Sequence, residues 1–215
     1  MEVLPYRTPS EQEAALGHAA RHLGEGGLIA YPTETVYGFG GSLAPASLDA
    51  LVRLKRRDTR RPFLLLVADA DLLEGLAWTA AARALASAFW PGPLTLALRA
   101  AEGAFPAQVR SPDGTVALRV TGHTGLRRLL RVFERPITST SANLPGEEPA
   151  RDADAVRAVV RAAHPAGAML LLDGGPLPAS LPSTIVDCGT DRPRLLREGA
   201  ITREDLLTVV HDIAI

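Results

Sequence analysis

Apolar residues recur along this chain at two spacings, and the spacings divide it into alternating elements. Ala15, Leu16, Ala19, Ala20 and Leu23 stand at helical intervals behind Ser10-Glu11-Gln12-Glu13, which has the form of a capping box. Gly24, Gly26 and Gly27 close that segment. A second helix is predicted from 45 to about 56, with Leu48, Leu51, Val52 and Leu54 on its buried side. Helices are also predicted over 71–78, 80–89, 125–133 and 152–163, the last capped by Asp152. A short one opens at Thr202-Arg203-Glu204-Asp205. Between them lie apolar runs too short for helices, which read as strands over 28–31, 63–68, 94–98, 115–120, 136–140, 169–172, 184–187 and 194–197. Residues 32–41 read as irregular, with glycines at their end. Helices alternate with strands, and strands crowd the C-terminal third. The pattern predicts one α/β domain over 1–215 with a twisted, mixed sheet, and no repeat or linker divides it.

Composition narrows the function classes. The 215 residues carry a net charge of −1, so no global positive field points to nucleic acid, although a local basic patch is compatible with that balance. A single cysteine, Cys188, excludes an internal disulfide framework and a multi-cysteine zinc site. It reads as a small core residue, since no histidine lies near it in sequence to activate it as a nucleophile. No leader or lipidation motif is visible and no apolar run reaches the ~18 residues of a membrane span, so the cytoplasm is the expected compartment. Of 23 basic residues, 22 are arginine; Lys55 is the only lysine and Asn143 the only asparagine. In a chain pushed so far towards arginine, alanine, leucine and glycine, a lone lysine and a lone asparagine mark places where those side chains are needed.

Five stretches have the chemistry of a site. Tyr31 to Gly41, YPTETVYGFGG, ends a buried strand in Thr33, Glu34, Thr35 and Tyr37; it reads equally as a ligand site at a strand end or as a tight turn. Lys55 to Arg61 places five cations in seven residues at a helix end, which suits either a solvated C-terminus or a phosphate clamp. Ile137 to Asn143, ITSTSAN, offers four hydroxyls and an amide, either to anionic oxygens or to its own turn before Pro145 and Gly146. Arg119 ends the apolar strand TVALRV and needs an anionic partner, a substrate carboxylate or a structural Asp or Glu. The fifth is PSTIVD, 182–187, with Arg197-Glu198-Gly199 beyond it. No P-loop, dinucleotide fingerprint, HExxH or GxSxG occurs, and His18 and His22 share a helix face without a third ligand.

Together these stretches resemble the YrdC-like threonylcarbamoyl-AMP synthase family, over about residues 28–201. The resemblance is carried by GLIAYPTETVYGFGG, Lys55-x-Arg57 followed by Pro62-Phe63, FWPGPLTLAL, VALR, ITSTSAN, PSTIVD and LLREGAI, in that order. It implies a single α/β domain with flanking helices around a large basic cavity. It implies an enzyme that joins L-threonine, bicarbonate or CO2, and ATP to give L-threonylcarbamoyl-AMP and pyrophosphate. Partner proteins would then transfer the threonylcarbamoyl group to tRNA beside the anticodon, and Mg2+ would accompany ATP. By the same resemblance Thr33, Tyr37, Arg119 and Ser183 would hold L-threonine, Arg119 through a fork to its carboxylate. Lys55, Arg57 and Arg61 would meet the ATP phosphates, with Lys55 and Arg57 catalytic. Thr115, Ser139, Ser141, Asn143 and Arg197 would surround the nucleotide, and no metal ligand is assigned to the protein. The chain departs from the family pattern at Leu66, where some members carry histidine, and at Asp58, Pro145 and the VTGHTG stretch after Arg119. The alternatives are a YrdC-like protein that binds tRNA or duplex RNA and a paralogue without synthase activity.

Overall fold

The structure, a computed structural model, describes residues 1–56, 61–69, 73–163 and 168–214. In chain order the elements are β1 (Glu2–Pro5), α1 (Pro9–Gly24), β2 (Leu28–Pro32), β3 (Tyr37–Gly40), α2 (Pro45–Lys55), β4 (Leu64–Leu66), β5 (Leu76–Ala77), α3 (Ala80–Phe89), β6 (Leu94–Ala100), β7 (Thr115–Arg119), α4 (Thr124–Phe133), β8 (Ile137–Ser141), α5 (Ala153–Ala163), β9 (Met169–Asp173), β10 (Thr184–Asp187), β11 (Arg194–Arg197) and α6 (Arg203–Leu207). The strands form one mixed sheet in the order β1-β9-β2-β3-β8-β4-β7-β6-β10-β11, with β5 beside β6. This is the α/β class that the alternation of elements predicts.

Four local expectations change. The capping box of α1 is built by Thr8 and Glu11, not Ser10, with Pro9 in the first turn. Residues 37–40 are not irregular: β3 pairs with β2 on one side and β8 on the other. The described part of the predicted helix over 71–78 turns at Gly75, φ 79°, and enters β5. β1, unforeseen, pairs in parallel with β9 from the far end of the chain. His22, on the helix face it shares with His18, has its Nε2 2.9 Å from Leu28 O. Cys188 is buried, and burial raises its thiol pKa to about 12.

Register assigns the polar residues to one face. Leu65 lies opposite Leu118 and Thr138, and Leu66 lies opposite Arg119 and Ile137. Because side chains alternate across a strand, Arg119, Ala117 and Thr115 share a face with Leu66, Ile137, Ser139 and Ser141. Gly38, paired with Ser141, and Tyr31, paired with Gly38, join that face. Its apolar part, with Ile29, Leu66 and Ile137, is covered by α1 and α4. The other face carries the larger core, including Phe39, Leu51, Leu54, Leu65 and Leu118. Each fully buried leucine there contributes about 1.5–3 kcal/mol.

α2 matters to the site because of what its buried stripe carries. Leu48, Leu51 and Lys55 follow one another at intervals of three and four, so the face that packs Leu51 into the core also delivers Lys55 inward. The helix stops immediately afterwards at Arg56, whose φ of 44° lies in the left-handed region and turns the chain away.

A Cβ added to Gly40 would fall inside the van der Waals radius of Thr138 O, a backbone atom that cannot swing aside. Gly40→Ala is therefore expected to destabilise the fold by on the order of 2 kcal/mol, through forced separation of β3 and β8. Urea denaturation of the two proteins measures this.

Candidate active site

The only lysine and the only asparagine are in direct contact. Lys55 Nζ donates to Ser141 O at 2.8 Å, to Asn143 Oδ1 at 2.7 Å and, at very short range, to Asn143 O. An ammonium has three hydrogens, and these three acceptors match them. Asn143 Oδ1 also accepts from Ser141 Oγ at 2.7 Å, while its Nδ2 donates to Glu147 O at 2.6 Å. All three acceptors are neutral oxygens, and together they fix the position of Lys55.

A second cluster gathers at the other end of β7. Arg119 is 5% exposed. Its Nε donates to Gly92 O at 3.0 Å, and its Nη2 lies 2.6 Å from Glu34 Oε1. Nη2 makes an ion pair there rather than a well-directed hydrogen bond. Glu34 in turn accepts from Thr121 Oγ1 at 2.5 Å and from Gly122 N at 2.7 Å. Burial pushes the Glu34 carboxyl upwards, but the Arg119 charge and these hydrogen bonds outweigh it and hold the pKa below its ordinary value. Thr33, just before it, shapes the turn. Its Oγ1 accepts from Thr35 N and Val36 N and donates to Val36 O at 2.7 Å.

Ser183 and Arg197 adjoin this cluster. Ser183 Oγ lies 3.0 Å from Thr95 Oγ1, and Arg197 donates through Nε and Nη2 to Ser183 O and through Nη2 to Ser183 Oγ. Burial and then the nearby charge of Arg119 lower the Arg197 pKa. The two guanidiniums are thus close enough to repel one another, and among the described residues Arg197 has no carboxylate partner. Tyr31 lies beside both Ser139 and Arg119. Burial raises its pKa, opposed by a hydrogen bond with Ser139 and the charge of Arg119. The two arginines with their hydroxyl neighbours, and separately the pinned lysine, are groups suited to anionic oxygens.

Other expected residues fall elsewhere. Thr115 sits at the start of β7, its Oγ1 2.8 Å from Ser111 Oγ and 3.3 Å from Asp113 Oδ1. It lines a separate cavity of about 370 Å³ with Arg99, Asp187 and Arg194. Tyr37 does not project beside Arg119. Its ring belongs to the core on the opposite sheet face, and its hydroxyl donates to Gly175 O and accepts from Gly174 N. Burial and the Asp173 charge raise its pKa to about 12. Tyr37 thus fastens β3 to the chain after β9 rather than lining a threonine pocket. Arg61 is exposed, and Arg57 and Asp58 lie outside the described residues. Arg119 already engages Gly92 O through Nε and Glu34 through Nη2, which leaves Nη1 without a partner among the described residues. Glu34 had no assigned role in the sequence, yet it had a signal. It is the only charged residue between Glu25 and Asp49.

Because the folded-state pKa of Glu34 lies below its ordinary 4.5, the unfolded chain binds more protons in that interval. The stabilisation is present above about pH 4.5 and is lost as pH falls through the folded value. Denaturation midpoints from pH 7 to pH 3 should fall more steeply for the wild type than for Glu34→Gln, which carries no titrating group there.

The Sua5/YciO/YrdC family model, described as telomere recombination, matches residues 21–199. A threonylcarbamoyl-AMP synthase of Bacillus subtilis is 35% identical over 211 residues, 95% of this chain and 59% of the relative. One of Chromohalobacter salexigens is 38% identical over 183 residues, 82% of this chain and 95% of the relative. The crystal structure of Pyrococcus abyssi Sua5 complexed with L-threonine superposes with a TM-score of 0.89 at 32% identity, covering 100% of this chain and 62% of that one. The chain thus spans about three fifths of the Bacillus and Pyrococcus proteins. With a family model covering most of its length and relatives above 30% identity, the chain belongs to the Sua5/YciO/YrdC family.

Proposed function

We propose that this protein is an L-threonylcarbamoyladenylate synthase, acting in the first step of threonylcarbamoyladenosine formation on tRNA. The observation that carries the reading is the neighbouring pair of a buried Arg119 and an exposed Arg197, with Ser183 hydrogen-bonded to Arg197. Names and ligands of the relatives point the same way. L-threonine would be bound at Arg119, Ser183 and Thr33. Its amine adds to CO2, releasing a proton and giving a carbamate. A carbamate oxygen then attacks the α-phosphate of ATP, and pyrophosphate leaves. Such displacements are catalysed by positioning and by fixed charges. Lys55, Arg57, Arg61 and Arg197 would supply the charges, and Ser139, Ser141, Asn143 and Thr115 the polar wall of the nucleotide site. Among the described residues no group of three or more His, Cys, Asp or Glu could hold a metal, so Mg2+ is assigned to the nucleotide as part of the substrate. No helix among the described residues is long and apolar enough to cross a membrane. We place the protein in the cytoplasm, upstream of the proteins that transfer the group to tRNA.

Incubation with ATP, Mg2+, bicarbonate and L-threonine should yield threonylcarbamoyl-AMP by mass spectrometry, with pyrophosphate release that requires threonine. Pyrophosphate release indifferent to threonine would sink the reading. Lys55→Ala should lower turnover by roughly 10²-fold or more. It should also cost about 1–3 kcal/mol of stability, since it strips a donor from Ser141 O and Asn143 O. Near-wild-type turnover would remove Lys55 from the phosphate site.

A further inference from the structure

The Arg119–Glu34 pair has two unused edges, and they differ in sign. Arg119 spends Nε on Gly92 O and Nη2 on Glu34 Oε1, while Nη1 has no partner among the described residues. Glu34 spends Oε1 on Gly122 N and Arg119 but gives Oε2 only the Thr121 hydroxyl, which leaves an acceptor position on Oε2. The two side chains are not equally sealed: 6% of the Arg119 side chain is exposed against 24% of Glu34. Glu34, which follows Thr33 in the turn that Thr33 shapes, thus keeps a partly exposed carboxylate beside that turn. It is also held ionised, its pKa lowered despite burial, so it stands there as an anion.

We infer that Glu34 binds the α-ammonium group of a zwitterionic amino acid while Arg119 takes its carboxylate through Nη1, so that the ion pair acts as one receptor for both charges. This rests on the reading of L-threonine as the substrate and adds a residue to its recognition. The charges balance. A second carboxylate at Arg119 would leave Glu34 without compensation, and an ammonium carried on the same molecule supplies it. Thr121 and Gly122 fix the Glu34 carboxylate from the other side, so the acceptor is oriented before the ligand arrives. Ligands with a carboxylate but no amine would meet Glu34 as a repulsive neighbour, which makes the residue a discriminator as well as a contact.

Calorimetric titration without ATP tests this, using L-threonine and β-hydroxybutyrate, which keeps the carboxylate and the hydroxyl but lacks the amine. Wild-type protein should bind L-threonine at least tenfold more tightly than β-hydroxybutyrate. Glu34→Gln should weaken L-threonine at least tenfold while leaving β-hydroxybutyrate unchanged or tighter. Two results would overturn the inference alone: unchanged L-threonine affinity in Glu34→Gln, or an equal loss for both ligands, which is what mere support of Arg119 predicts. Should Glu34→Gln fail to fold by circular dichroism, the wild-type comparison still decides, since equal affinity for the two ligands contradicts a contact to the amine. Wild-type protein that binds neither compound overturns the threonine reading itself.

Discussion

A guanidinium enclosed at the end of β7 constrains more of this molecule than any other group. Leaving one charge of a buried ion pair without its partner costs about 3–5 kcal/mol. Arg119 avoids that cost by drawing in three separate segments. The turn after β2 brings Glu34, the loop before β6 turns Gly92 O towards Nε, and the residues after β7 lend Thr121 and Gly122 to the carboxylate. None of these contacts belongs to a sheet ladder or a helix. Together they set the geometry of the strand ends where the candidate site lies. The same need for a counter-charge explains why a single acid stands in a span otherwise free of charge.

The second anchor works by a different principle. Lys55 is brought in on the buried stripe of α2 and held by carbonyl and amide oxygens of the turn after β8. Arg119 meets a carboxylate, whereas carbonyl and amide dipoles orient the Lys55 ammonium. The left-handed Arg56 makes the arrangement possible, because it ends the helix one residue after the lysine.

Much of the scaffold was legible before any coordinates. The helices with strong apolar periodicity, α1, α2, α4 and α5, appear where the pattern puts them, as do the cores of β4, β8 and β10. What escaped were strands whose existence depends on partners. β3, Tyr37–Gly40, has two glycines in four residues, a composition that reads as a loop. It is a strand because β2 and β8 pair with it on both sides, and its glycines leave room for the Tyr31 ring and the Thr138 carbonyl. β1 exists only through β9. In the site, the chemical types of residue were legible, but their pairings were not. Tyr37 looked like a pocket residue because of its neighbours in sequence, yet strand alternation turns it to the opposite face.

By itself, then, the sequence determined the α/β class, the main helices, the family and the set of hydroxyl, amide and cationic side chains available for chemistry. These follow from local periodicity and from residue types, which need no long-range information. The tertiary structure decided which groups meet. It joined Lys55 to Asn143 and Glu34 to Arg119, pairs separated by 88 and 85 positions. Hydrogen bonds and ion pairs act over a few ångströms, so their partners are chosen by sheet register and helix packing, and neither can be read from residues so far apart in the chain.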